Sequence, residues 1–89
     1  MKQIEPVQIW TNGEEKVGEY ISVTGIYDNN ESIATEQWKI FTIDNVQIAQ
    51  GNIDIDGQNY QDWGNQPALE VNEWIYNWVA EQINVVILP

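Results

Sequence analysis

The chain has 89 residues, with 14 Asp and Glu against 3 Lys and Arg, no histidine and no cysteine, and a formal net charge of −11 at pH 7. This composition removes imidazole acid–base chemistry, thiolate nucleophiles, disulfide staples and the common nitrogen and sulfur metal ligands, and it repels nucleic acid and anionic lipid. The expectation is a single small domain over residues 1–89 with a thin core, not an enzyme, with no cofactor and no metal, because a chain of this size hides only about 60–65% of its unfolded surface.

Ile4 to Trp10 is rich in strand formers, and Pro6 confines that stretch to a sheet edge or a strand start. Asn12-Gly13 follows, a pair that tolerates the positive φ angles of a type I′ hairpin turn. A second strand is expected over about Lys16 to Tyr27, with Val17, Ile21, Val23 and Tyr27 on one face and Gly18, Ser22 and Thr24 on the other. Asp28 to Ser32 is a polar loop. It contains Asn30-Glu31-Ser32, which spells a glycosylation acceptor, though nothing else points to secretion.

A third strand is expected from Ile33 to Ile43, with Ala34, Glu36, Trp38 and Ile40 sharing a face. Asp44-Asn45 reads as a two-residue turn, and a fourth strand runs from Val46 to about Ile55. The apolar phase of that strand shifts between Val46/Ile48 and Ile53/Ile55, which places a bulge at Gly51-Asn52. After Asp56-Gly57 comes a short aromatic segment, Tyr60 to Trp63, and a break at Gly64 to Pro67.

Pro67 suits the first position of a helix. Val71, Trp74, Ile75, Trp78 and Val79 then form one apolar stripe at helical spacing, with Glu70 and Glu73 in the first turns, where the helix dipole favours anions. The helix is expected to end near Asn84, leaving Val85 to Leu88 as a short terminal strand. The fold class is α+β: a four-stranded antiparallel sheet of two hairpins, one C-terminal amphipathic helix on one face, and a terminal strand at an edge.

No constellation of residues carries chemistry by spacing. The serines and threonines have no histidine beside them, and Lys16 and Lys39 fall in strand patterns as solvated side chains. Asn52 to Gly57 imitates the opening of a calcium loop, but the twelfth position is Trp63 where a bidentate glutamate is required. Asp54 and Asp56 share a strand face and, with Glu14, Glu15 and Glu19, offer a row of carboxylates of the kind a DNA mimic displays. Trp10 and Trp63, where the chain reverses, are the expected exposed anchors. The strand edges at Ile4–Trp10 and Val85–Leu88 are open to pairing with another chain.

Pro6-Val7-Gln8-Ile9-Trp10 with Asn12-Gly13, then Asp28-Asn29, Gly51-Asn52, Gly57, Tyr60 and Trp63, then a Trp-rich helix, resembles small acidic proteins of Bacteroidetes tailed phages, including crAss-like phages. The resemblance covers most of the chain in order and brings no catalytic or ligand residues. It implies a virion-associated or structural phage protein that acts through protein–protein contacts. Trp10 and Trp63 would then be contact residues, and Asp54 and Asp56 charge contributors. The expected partner is a basic protein, other virion subunits or further copies of this chain, with no direct nucleic acid and no membrane. The alternative is an acidic anti-defence inhibitor that mimics DNA and blocks a host nucleic-acid-binding complex. No basic segment followed by an apolar run begins the sequence, so no signal peptide is expected, and the location is the virion or the host cytoplasm.

Overall fold

The computed structural model describes residues 1–65 and 71–89, the side chains of 71 and 72 excepted. Its elements are β1 (Lys2–Thr11), β2 (Glu14–Asp28), β3 (Ile33–Phe41), β4 (Gln47–Asp56), α1 (Gly57–Gly64) and α2 (Val71–Gln82). The four strands form one antiparallel sheet in the order β1-β2-β3-β4.

Turn chemistry sets this order. Asn12 and Gly13 have φ of 51° and 83°, so both central residues of the first turn are left-handed, as a type I′ hairpin requires. The β2–β3 loop is held by its own side chains. Asn29 Oδ1 accepts from the backbone N–H groups of Glu31, Ser32 and Ile33, and Asp28 Oδ1 accepts from Asn30 N–H. The third turn is longer than the two-residue turn expected at Asp44-Asn45. Thr42 N–H donates to Val46 O across Ile43, Asp44 and Asn45, and Asn45 takes the left-handed position at φ 64°.

The apolar alternation read from the sequence is broken at three places, and each break moves side chains between faces. The β1–β2 register slips between Gln3 and Val7, around Pro6, and this turns Gly18 inward and Val17 outward. The β2–β3 register slips between Gly25 and Tyr27, leaving Ile26 and Tyr27 exposed. The β3–β4 register slips between Ile40 and Phe41, so Ile48 is the extra residue. The phase shift in β4 is therefore real, but its bulge lies at Ile48 and not at Gly51-Asn52. Gly51 has another role: a Cβ there would lie 2.6 Å from Cζ2 of Trp38, whose indole crosses the strand at that point.

One face of the sheet carries the core. Ile4, Ile21, Ile40 and Ile48 form one buried cluster, and Ala34 and Ile55 join Ile75 and Val79 of α2 in a second. Trp38, Val23 and Tyr76 pack against both. The buried face of α2 is centred on Ile75, Val79 and Ala80, while Trp74 and Trp78 lie half-buried at its margin, stacked at 6.3 Å.

Two helices are present where one was expected. The segment Tyr60 to Trp63 is not a free aromatic stretch but belongs to α1, eight residues long, with Tyr60 edge-on to Trp63 at 5.8 Å and Gln58 bonded to Asp62 one turn on. Glycines at both its ends and the lack of a longer apolar stripe hide it from a periodicity reading. The expectations for Pro67 and Glu70 lie outside the described residues, as does the side chain of Val71.

The end of α2 is a Schellman motif. Asn84 is left-handed at φ 61°, Asn84 N–H reaches Glu81 O, and Val85 N–H reaches Ala80 O. This reverses the chain onto β1, where Glu5 N–H donates to Val86 O at 2.8 Å and Leu88 N–H to Gln3 O at 2.9 Å. The bridge pairs Ile4 with Ile87. The terminal segment thus covers part of one edge, and among the described residues the stretch of β1 from Val7 to Thr11 pairs with β2 alone.

Candidate functional site

Two regions of the molecule are organised for contact: the helix-free face of the sheet, and a cavity on the opposite side under the helices. The register lays out the first. Because Ile21 pairs Ile40 in the core, their neighbours Tyr20 and Phe41 point the other way, and so do Ser22, Lys39 and Gln50 in the next row and Thr24, Gln37 and Asn52 beyond it. Thr35 and Asp54 follow, joined by a 2.6 Å bond from the threonine hydroxyl. On the first hairpin, Val7 and Ile9 pack against the core, so Gln8, Trp10, Glu15 and Val17 point away from it.

Trp10 is 73% exposed on this face. Val17 is exposed beside it, and Ile43 and Val46 are exposed in the β3–β4 turn at the same end of the sheet. Glu15 and Asp44 are exposed at this end, while Glu14, bonded to Lys16 at 3.1 Å, alternates with Glu15 onto the other face of the hairpin. Asp54 and Asp56 lie on the same face at the far end. Of the four residues proposed from sequence, Trp10, Asp54 and Asp56 therefore share one surface.

Trp63 does not join them. It packs half-buried against the Ala34–Ile55 cluster, and its indole N–H is buried with no partner among the described residues. As an exposed anchor it is corrected, because α1 folds it inward.

The cavity has a volume of about 610 Å³ and lies between the sheet and both helices, with Val23, Tyr27, Asp28, Glu36, Trp63 and Tyr76 among its walls. Glu36 is 4% exposed, the one buried charged side chain among the described residues. It is there because it shares the core face of β3 with Ala34, Trp38 and Ile40. No described side chain or backbone group hydrogen-bonds its carboxyl. Burial, and secondarily the nearby Asp28 charge, push its pKa above the ordinary 4.5. Asp28 at the rim accepts from the Tyr60 hydroxyl at 2.7 Å, and this bond raises the Tyr60 pKa. Alternation in β3 placed Glu36 on the apolar face, and that was the one signal pointing to this site.

A carboxyl whose folded pKa is raised favours the folded state most below its ordinary value, and that contribution is lost as pH rises through the folded value. Glu36→Gln should therefore stabilise the protein at neutral pH, because it removes the charge that burial penalises and keeps the side chain's shape. The gain should shrink as pH falls toward 4.5. Thermal melts of both proteins across that range decide it, and a wild type more stable than the variant at neutral pH would show a hidden partner for the carboxylate.

Among the described residues no group of three or more acids is placed to hold a metal ion, and no helix is long and apolar enough to cross a membrane. No family model, curated protein or solved structure matches this chain.

Proposed function

We propose that this chain is a non-enzymatic binding module that works through protein–protein contacts, docking by the hairpin end of its helix-free sheet face onto a basic protein surface. The supporting observation is the 73% exposure of Trp10, with Val17, Ile43 and Val46 exposed at the same end. A tryptophan anchor inside a polar rim is the usual arrangement of an interface hot spot. The rim here is acidic, and the net charge of −11 selects a basic partner over an acidic one. The resemblance to small acidic phage proteins makes the virion the setting, with the chain as a virion-associated or structural component. Lys39, in the middle of the same face, interrupts the continuous rows of carboxylates that a DNA mimic needs.

Mass spectrometry of purified particles tests the setting, and Trp10→Ala tests the surface. The chain is expected in the particles. The variant should fold with stability within about 0.5 kcal/mol of wild type, as for an exposed position. Its incorporation should fall about tenfold or more, as for a lost aromatic anchor. Absence from particles would overturn the virion setting, and undiminished incorporation of the variant would overturn the docking surface.

A further inference from the structure

The outer edge of β1 is closed over one part of its length and open over the rest. Backbone bonds from the terminal segment reach Gln3 and Glu5, and among the described residues none reaches Val7 to Thr11 from outside the sheet. The turn fixes which groups of that open stretch face outward. In a two-residue hairpin the pair flanking the turn, here Thr11 and Glu14, exchanges both of its backbone bonds. Ile9 with Lys16 and Val7 with Gly18 then do the same, so the N–H and C=O groups of Gln8 and Trp10 point away from β2. The stretch Val7-Gln8-Ile9-Trp10-Thr11 holds no charge, glycine or proline, and nothing in it blunts the edge. The opposite edge, β4, is broken by the bulge at Ile48 and by Gly51 and carries Asp54 and Asp56.

From this geometry we propose that β1 takes up an extended, arginine-bearing segment of the partner protein as an added antiparallel strand, paired at Gln8 and Trp10. The inference rests on the reading above, in which the hairpin end docks onto a basic protein, and it names the form of that partner's contact. The residues opposite Gln8 and Trp10 would each exchange an N–H and a C=O bond with them, and the residue between would stand opposite Ile9. Opposed side chains share a face. The outer two therefore lie on the helix-free side, and the middle one lies beside Ile9, which packs against the core. Charge and ring chemistry choose the residue opposite Trp10. Trp10 pairs directly with Glu15, and Glu15 is exposed on the same face. Glu15 lies two strand spacings from the added strand, about 9.5 Å, a span that an arginine reaching over the indole and a glutamate cover together. A guanidinium there meets an aromatic face and a carboxylate. The lysines of this chain do not take that place. Lys2 is held by Glu73, Lys16 is bonded to Glu14 on the other face of the hairpin, and Lys39 lies in β3, beyond β2. A second copy of this chain would bring its own charge of −11 and its own Glu15 to the edge, so charge selects a basic segment over self-pairing. The fitting sequence alternates arginine with a β-branched residue.

The test is an NMR titration of the whole ¹⁵N-labelled chain with the end-capped peptide Val-Arg-Val-Arg-Val. In the free chain the Gln8 and Trp10 amides should exchange with solvent faster than the Ile9 amide, which β2 protects. Saturating peptide should slow exchange at Gln8 and Trp10 about tenfold or more, as for amides newly placed in a ladder. The same peptide N-methylated at both arginines keeps every side chain and charge but loses its two pairing donors, and it should bind about tenfold or more weakly. Glu15→Gln should weaken the parent peptide about two- to fivefold, as for an exposed charged pair. Glu81→Gln, which removes an exposed acid on α2, should leave it unchanged. Absence of saturable binding, or binding without slowed exchange at Gln8 and Trp10, would overturn the strand addition. Equal affinity of the N-methylated peptide would do so too, and a Trp10 indole resonance that still shifted would leave docking by the sheet face standing without it. Equal losses in Glu15→Gln and Glu81→Gln would assign the attraction to net charge and overturn the arginine site opposite Trp10. Undiminished particle incorporation of Trp10→Ala would instead remove the reading beneath this one, whatever the peptide does.

Discussion

Replacing Ile40 by alanine should remove about 2–5 kcal/mol of stability, the range for a fully buried isoleucine. Ile40 is 1% exposed near the C-terminal end of β3, opposite Ile21 on one side and beside the bulged Ile48 and Ala49 on the other. Against a total of about 5–15 kcal/mol for a domain, that loss is a large share. The same site makes a sharper prediction. A Cβ at Gly18 would lie 2.4 Å from Cγ2 of Ile40 and 3.2 Å from Cγ1 of Val7. Gly18→Ala alone should thus cost about 1–3 kcal/mol by overpacking. In the Ile40→Ala background the obstructing methyl is gone and the added methyl fills part of the void. The double variant should then be more stable than the sum of the singles predicts, by about 0.5–3 kcal/mol. Urea denaturation of the four proteins measures the cycle, and additivity would sink the claim that Gly18 is a glycine because Ile40 occupies its side-chain space.

Gly18 also shows where the sequence was legible and where it was not. Local chemistry reads directly: Asn12-Gly13 demands a left-handed pair and has one, and the helical stripe at Ile75 and Val79 packs inward as its spacing requires. Simple alternation does not survive a register slip. Val17 and Tyr27 read as core residues of one long strand, yet bulges on either side of Ile21 and Val23 turn both outward. A bulge puts extra residues on one strand, and nothing in the other strand alone announces it: Ile4, Glu5 and Pro6 of β1 stand against Glu19 alone in β2. In β4 the apolar phase did record the slip, but glycine drew it to the wrong place, because Gly51 exists to admit the Trp38 indole. Likewise Trp10 and Trp63 both sit beside chain reversals. Only the helix at Gly57–Gly64, too short to show a stripe, separates the exposed ring from the inward one.

Ile87→Asp should cost about 2–4 kcal/mol, the loss of a packed isoleucine and of the backbone bonds that depend on it. The terminal segment lies on β1 because the Schellman turn at Asn84 aims it there, and it stays through Ile87 and Val85 in the Ile4 cluster plus the Glu5–Val86 and Leu88–Gln3 bonds. A carboxylate at position 87 would face Ile4, which is 1% exposed, while Lys2, two residues back along β1, is already held by Glu73. The least costly response is release of the segment, which exposes Ile4 together with the Glu5 N–H and the Gln3 carbonyl. An unpaired strand edge is a template for another chain, so the variant should also self-associate with rising concentration. Amide exchange at Glu5 and Leu88 reads the release, and sedimentation reads the association. Val86→Asp is the control, since Val86 is 54% exposed and contributes its carbonyl and not its side chain. If Ile87→Asp left the Glu5 and Leu88 amides as protected as in wild type, the segment would be held by something other than Ile87. If both variants were equally unstable, charge alone would be the cause, because at −11 any further carboxylate adds repulsion. A loss confined to Ile87→Asp identifies the bridge to β1 as the element that closes this edge of the sheet and keeps the hairpin end as the exposed apolar surface.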